Sequence, residues 1–444
     1  MTETRGARVV VIGGGFGGLE TVSHLKHQPV HILLLDRKNH HTFQPLLYQV
    51  ATAGLSPAEI AAPLRSIVSK QKNTEVLLTE VNGFDLARKV VKTADTEIEY
   101  DYLVVAAGAR HSYFGNDQWE PLAPGLKTVE DALEIRRRVL LAFEDAERQA
   151  ALHGHHSDIN FVIVGGGPTG VELAGTISEV ARTALARDFR TIDPKHTRVI
   201  LVEAGPRVLA AFSEDLSASA ERQLNKLGVE VRTKTMVTQV LPHEVHMGEV
   251  VLPSSVTLWA AGVAASPLGR ALSQNVDRAG RVPVQPDLTI PDHPEVFVIG
   301  DLATIKNPDG KPIPGVAPAA MQMGRFVAKT ISNDLEHRAR TNFVYNDKGN
   351  LATIGRNAAV AQFPKFKLTG YPAWLAWLFI HILFLIGFRN RLVVMIEWAW
   401  SYLTYQRSAR LITDEVGRLR EQLRSPDSHL PEPPAVEVVE KRRA

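Results

Sequence analysis

Glycine spacing constrains this chain more than any other feature. Residues 8–20 read RVVVIGGGFGGLE and residues 159–174 read INFVIVGGGPTGVELA. Each is a β-branched run, then a glycine cluster, then a helical pattern. In the first, Gly13, Gly15 and Gly18 stand at the G-x-G-x-x-G spacing. Gly13 permits a tight turn, Gly15 lets backbone N–H groups approach a pyrophosphate, and Gly18 permits close packing of helix on strand. Asp36, 21 residues after Gly15, stands where a carboxylate accepts hydrogen bonds from a ribose. The bland alternative is a glycine-rich loop that serves packing alone.

The second cluster repeats the pattern at Gly165, Gly167 and Gly170, with Pro168 placed where a missing N–H does no harm. Its acid is Glu203, delayed because ARTALARDFRTIDPKHT lengthens the connection. A carboxylate there repels a 2′-phosphate, so NADH is expected over NADPH, with Arg207 able to soften the preference. The offset of about 150 residues between the clusters is too long for a solenoid repeat and fits a duplicated nucleotide-binding domain. Further strands are expected to end at Asp36, Gly108, Glu203, Gly262 and Asp301. Their apolar runs lack alternation, as parallel strands buried on both faces require. The fold class is therefore α/β, with two Rossmann-like domains. Spacing alone leaves open which cradle holds a flavin and which a nicotinamide.

The chain has 444 residues, enough for two or three domains, each with its own core. A net charge of +2 speaks against nucleic acid as a partner. There is no cysteine, which removes disulfides, thiolate metal sites and thiol nucleophiles. No metal site is expected. The start MTETRGAR is too polar for an export signal, and the Pro- and Glu-rich residues 426–444 read as a disordered tail.

Residues 365–410 differ from the rest. They hold Trp374, Trp377, Trp398 and Trp400, six basic residues (Lys365, Lys367, Arg389, Arg391, Arg407, Arg410) and a single acid, Glu397. Tyr371–Phe388 lacks a formal charge for 18 residues, about 27 Å as a helix and just short of a hydrocarbon core. Pro372 and Gly387 would shorten it further. After it, Glu397, Ser401 and Thr404 fall on one helical stripe among apolar residues. Trp and Tyr favour the headgroup layer and Arg and Lys favour anionic lipid, so the module is expected to lie on a membrane rather than span it. A buried dimer interface is the alternative.

The sequence resembles the two-dinucleotide-binding-domain flavoproteins and, within them, type II NADH:quinone oxidoreductase. The resemblance rests on GGGFGG at 13–18, HHTFQPLLYQVATAGL at 40–55, AAGAR at 106–110, GGGPTGVELAG at 165–175, VFVIGDLA at 296–303 and the tryptophan-rich C-terminus. It implies a discontinuous FAD domain (7–120 and 285–335), an NADH domain (121–284), and a C-terminal membrane-association module (336–425). FAD would be bound by Gly13, Gly15, Phe16, Gly17, Gly18, Asp36, Arg37, Ala107, Gly108 and Asp301. NADH would be bound by Gly165, Gly167, Pro168, Thr169, Gly170, Glu203 and Gly262.

By the same resemblance Glu172 lies near the nicotinamide–flavin contact, although a first-turn acid also suits the helix dipole. The family's A-Q-x-x-x-Q pattern reads APAAMQ here, so Gln322 matches the second glutamine while Pro318 replaces the first. Proline has no side-chain amide and no backbone donor, so that contact is absent or replaced here, and Gln322 remains the best single residue for the quinone. No histidine, His40 and His41 included, stands in a catalytic pattern. The implied reaction is NADH oxidation through FAD with electrons passed to a membrane quinone, without proton pumping. The implied setting is a homodimer peripheral on the cytoplasmic face of the inner membrane, attached to the bilayer through 365–410. A soluble NADH-dependent reductase of a ferredoxin-like partner is the alternative function.

Overall fold

The computed structural model describes residues 6–404 and 409–412. The expected tail and Arg407 lie outside the described residues. A six-stranded sheet runs in the spatial order Thr289–Ile290, His293–Val298, Tyr102–Val105, Ala7–Ile12, Val30–Asp36, Thr74–Leu78. All neighbours are parallel except the first pair. The missing alternation has a direct cause. Val9, Val11, Ile32 and Leu34 join the core on one face, while Val10, Ile12, Leu33 and Leu35 join another core on the opposite face.

A second parallel sheet has the order Val229–Arg232, Arg198–Val202, Asn160–Val164, Val256–Trp259. Ala109–His111 pairs antiparallel with Val263–Ala265 and joins the crossover from the first domain to the second. The strands stop earlier than the apolar runs predicted: at Val105, Val202, Trp259 and Val298. The terminal residues of each run leave the ladder to form the loops over the cradles.

Two glycines set how the helices dock. A Cβ on Gly324 would lie 2.3 Å from the Gly17 carbonyl oxygen, so the helix Ala317–Leu335 rests directly on the first glycine helix. The Thr21 hydroxyl sits between them, near the carbonyls of Gly17 and Gly324 (3.0 and 3.3 Å). A Cβ on Gly175 would lie 1.6 Å from the Ile354 carbonyl oxygen, so the second glycine helix meets the C-terminal sheet without a spacer.

That sheet is an antiparallel meander, Asn350–Gly355, Ala358–Gln362 and Lys367–Thr369. Two helices follow, Tyr371–Phe384 and Phe388–Thr404, broken where Leu385 turns extended and Gly387 takes φ +88°. The first spans only 14 residues, about 21 Å. Among the described residues no helix is long and apolar enough to cross a membrane. The predicted stripe points inward: Val394, Glu397, Trp398 and Ser401 face the body, while Leu392, Met395, Ile396, Trp400 and Leu403 are exposed. Tyr371, Leu375, Phe379 and Leu383 line the outside of the preceding helix. An apolar face turned outward on two adjacent helices marks an interaction surface.

Candidate functional site

The two glycine cradles are near copies. Gly13 and Gly165 adopt left-handed backbone, φ +100° and +109°, which only glycine tolerates without strain. Gly13 N–H donates to the Leu35 carbonyl (2.8 Å) and Gly165 N–H to that of Val202 (2.7 Å). Asp36 accepts from the N–H groups of Gly14 (2.6 Å) and Lys38 (2.7 Å). Glu203 accepts from those of Gly166 and Gly205, both at 2.6 Å. Each carboxylate oxygen keeps a lone pair for a ribose hydroxyl. A Cβ on Gly18 would fall 1.9 Å from the Gly13 carbonyl, and one on Gly170 1.8 Å from that of Gly165. At Gly15 and Gly167 a Cβ would meet nothing within 4 Å. These two positions cap helices whose first-turn N–H groups lack intrahelical partners, so each cradle presents donors to open space where an anion can sit.

Their surroundings differ. Beside the first cradle, a small cavity is lined by Asp301 from the His293–Val298 strand end and by Ala319 and Ala320 from the Ala317–Leu335 helix. Lys127 lies 3.6 Å from the Asp301 carboxylate. Gly108 takes φ +66° with open space beside its Cα, Ala107 and Phe16 are half-buried, and Arg37 is exposed. The first cradle therefore has the phosphate donors, ribose acceptor and adjoining acid that a flavin dinucleotide requires. At the second, Pro168 is exposed and Thr169 half-buried. Arg207 does not reach for a phosphate: its guanidinium donates to the carbonyls of Phe212 (2.7 Å) and Ala210 (2.9 Å) within its own loop. The softening of cofactor preference expected from Arg207 has no support in this geometry.

Glu172 lies one turn inside the second glycine helix, against the C-terminal sheet. Burial pushes its carboxyl up to about 8, opposed by a hydrogen bond from the Thr353 backbone. Thr176 and Thr353, its neighbours on helix and sheet, line a cavity of about 150 Å³. The far wall is aromatic, formed by Tyr48, Trp374, Trp377, Trp398 and Tyr402. Trp398 Nε1–H donates to the Gln49 side chain (2.7 Å), fastening the last helix to the LLYQVA segment. Trp377 is buried at 3% exposure, and its indole N–H has no partner in the structure. A buried donor without a partner is costly unless something accepts from it.

His381, one turn after Trp377, stacks on it (4.3 Å) and lies edge-on to Phe43. Burial drives its imidazole down to about 4, so it is neutral near pH 7, with Nδ1 hydrogen-bonded to the Trp377 carbonyl (2.6 Å). His41 is buried too and held below the usual histidine range by that burial, its Nδ1 on the Gly14 carbonyl (3.0 Å). Gln322 faces a different segment: its amide donates to the Asn346 carbonyl and accepts from the Asn346 N–H, both at 2.9 Å. Pro318 occupies the first turn of the same helix. Neither residue lines the aromatic cavity.

Trp377 and Lys127 carry no motif and were not singled out by sequence reasoning. Trp377 was visible only as one tryptophan among several, and nothing in spacing marks Lys127 as the neighbour of Asp301.

Residues 7–324 match the pyridine nucleotide-disulphide oxidoreductase family, and residues 348–406 match the NDH2 C-terminal domain. The chain is 45% identical over 427 residues to the type II NADH:quinone oxidoreductase NdhA of Mycobacterium tuberculosis, covering 92% of this chain and 90% of that protein. It is 44% identical over 432 residues to Ndh of the same organism, covering 94% and 92%. Among solved structures, NDH2 from Plasmodium falciparum in complex with NADH superposes with a TM-score of 0.82 at 20% identity. That match covers 91% of this chain and 99% of that one.

Proposed function

From the premise that this chain belongs to the type II NADH:quinone oxidoreductases, we propose how its residues divide that family's work. The protein oxidises NADH and passes the electrons to a quinone. The disulphide chemistry in the broader family's description has no place here, since the chain has no cysteine. On our reading, residues 7–120 with 285–335 bind FAD, residues 121–284 bind NADH, and 336–425 form the membrane module. A flavin held by the first cradle would supply the hydride acceptance and two-electron delivery that link NADH to quinone.

The residues supply binding, orientation and proton control. Asp36 and the 13–18 turn hold one dinucleotide, with Phe16, Gly17, Arg37, Ala107, Gly108 and Asp301 around it. Glu203 and the 165–170 turn hold the other and disfavour a 2′-phosphate by charge. Glu172, protonated near neutral pH, holds a proton where helix and C-terminal sheet meet. Trp377, one of the aromatic cavity's lining residues, offers its unpaired indole N–H to a quinone carbonyl bound there. Gln322 supports the site indirectly by fastening residue 346 to its helix. The outward apolar face of the two last helices rests on a bilayer, at the cytoplasmic side of the inner membrane, and the protein works as a homodimer.

The observation that carries this reading is the pair of matching cradles, each closed by its own carboxylate, in one chain with an outward-facing apolar module. The test is full-length protein purified with its flavin and mixed with NADH, then with a soluble quinone. The yellow colour is expected to bleach and to return. A colourless protein that takes up no FAD would overturn the assignment. Replacing Phe379 and Leu403 by Glu is expected to release the protein from lipid vesicles while leaving ferricyanide reduction intact. Equal vesicle binding by both forms would refute the membrane face.

A further inference from the structure

An exposed phenylalanine stands beside the second cradle in a strained conformation. Phe114 is 67% exposed, with φ +54° followed by Gly115 at +90°. Its neighbours in sequence are anchored. The Trp259 indole N–H donates to the Ser112 carbonyl (2.8 Å), and Tyr113 is buried, stacked on Trp259 (5.2 Å) and donating to the Ala123 carbonyl (2.8 Å). Trp259, Tyr113 and Trp119 form a buried cluster, and Phe114 is the member left outside it. A bulky residue in left-handed backbone persists only where the surroundings over-determine it, and such strain gathers at ligand clamps.

The ring has a specific seat. A Cβ on Gly262 would lie 2.6 Å from Phe114 Cζ and 3.2 Å from both Cε atoms. Gly262 does not have positive φ, so backbone conformation does not demand glycine there. The Phe114 ring packs directly against it. The loop bearing Gly262 abuts the second cradle, because a Cβ on Gly165 would fall 2.5 Å from the Ala260 carbonyl and 2.6 Å from Ala261 Cα. On the other side, the segment carrying Phe114 descends through Ala109–His111 from Ala107 and Gly108, which belong to the first cradle's surroundings. Phe114 thus lies on the segment that leads from the first cradle's surroundings to the loop beside the second cradle.

We propose that Phe114 is a contact residue for NADH, its exposed ring packing on the nicotinamide end of the dinucleotide seated on the Gly165 turn, with Gly262 kept small to hold that ring in place. The proposal rests on the NADH assignment of the second cradle. The ring's contacts with Gly262 and Trp259 place it beside the cradle before a ligand arrives, which lowers the ordering cost of the contact. An aromatic contact of this kind corresponds to about a two- to tenfold change in affinity.

The test uses the flavin-loaded full chain. Phe114→Ala is expected to raise KM for NADH about five- to tenfold with kcat little changed, while inhibition by ADP-ribose, which lacks nicotinamide, stays as in the parent. Phe114→Tyr should restore the parent KM. Gly262→Ala should reproduce the Phe114→Ala effect by dislodging the ring, and the double variant should be no worse than either single one. Tighter NADH binding in Phe114→Ala would show that the ring only obstructs the cradle, and equal loss of NADH and ADP-ribose binding would show a merely structural role. Either result overturns the proposal. A parent enzyme whose flavin NADH fails to bleach would instead defeat the cradle assignment itself, so the two failures are told apart.

Discussion

The two cradles share their local geometry almost atom for atom and differ in what lies around them. Asp36 and Glu203 differ by one methylene, yet each bridges two backbone N–H groups at 2.6–2.7 Å. The first is walled by the Ala317–Leu335 helix resting on Gly17 and by Asp301 with Lys127. The second is flanked by an exposed aromatic ring and by an arginine committed to its own loop. The same turn therefore sits in two different settings, one beside a helix and an acid, the other beside an exposed ring and an arginine bonded to its own loop.

The strongest challenge to that comparison is to fill each turn. Gly18→Ala forces a Cβ to within 1.9 Å of a carbonyl oxygen, and Gly170→Ala to within 1.8 Å. The first is expected to give colourless, inactive protein. The second should keep its flavin absorbance yet lose NADH oxidation by about a hundredfold or more, through a clash worth several kcal/mol. Identical outcomes in both variants, read by absorbance and turnover, would erase the distinction between resident and exchanging sites.

Glu172 gives the next largest effect. Its native carboxyl titrates at about 8, against 4.5 for the ordinary side chain, because burial disfavours the charge. Between those values the unfolded chain has lost the proton and the native chain retains it, so this group's contribution to stability falls as pH rises through that window. Activity that needs the protonated form should decline as pH passes about 8. Glu172→Gln is expected to lower turnover about tenfold at pH 7 and to abolish the alkaline limb. An unchanged pH profile would remove Glu172 from proton handling.

Smaller effects sharpen the comparison. Glu203→Ser should narrow the NADH-to-NADPH ratio of kcat/KM by about tenfold, by removing charge repulsion and a ribose acceptor, while flavin content stays put. Trp377→Phe keeps an aromatic ring, though a smaller one, and deletes the unpaired N–H. It is expected to raise KM for quinone about fivefold, the scale of one hydrogen bond, with ferricyanide turnover unchanged. Loss of both activities would mean that Trp377 serves packing only.

Histidine makes the limits of motif reading concrete. His381 sits in an apolar run with nothing to distinguish it, yet it ends beside Phe43, more than 300 residues earlier in the chain. Its imidazole falls to about 4, below 6.5 for the ordinary group, so the unfolded chain takes up its proton first as pH drops and stability declines between those values. The amphipathic stripe Glu397–Ser401 was legible from spacing, but its inward direction was not, since a stripe alone does not say which face meets protein.

Sequence by itself determined the cradles, because a turn, a helix start and a strand-end acid are local chemistry. Gly13 and Gly165 take φ of +100° and +109° in this turn, and the carboxylate returns along the adjacent parallel strand. Tertiary structure alone decided that Thr353 meets Glu172, that Trp377 closes a cavity with Tyr48, and that Phe114 rests on Gly262. Each of these joins residues far apart in the chain, and no spacing rule encodes such meetings. They arise from which surfaces the helices and sheets bury together.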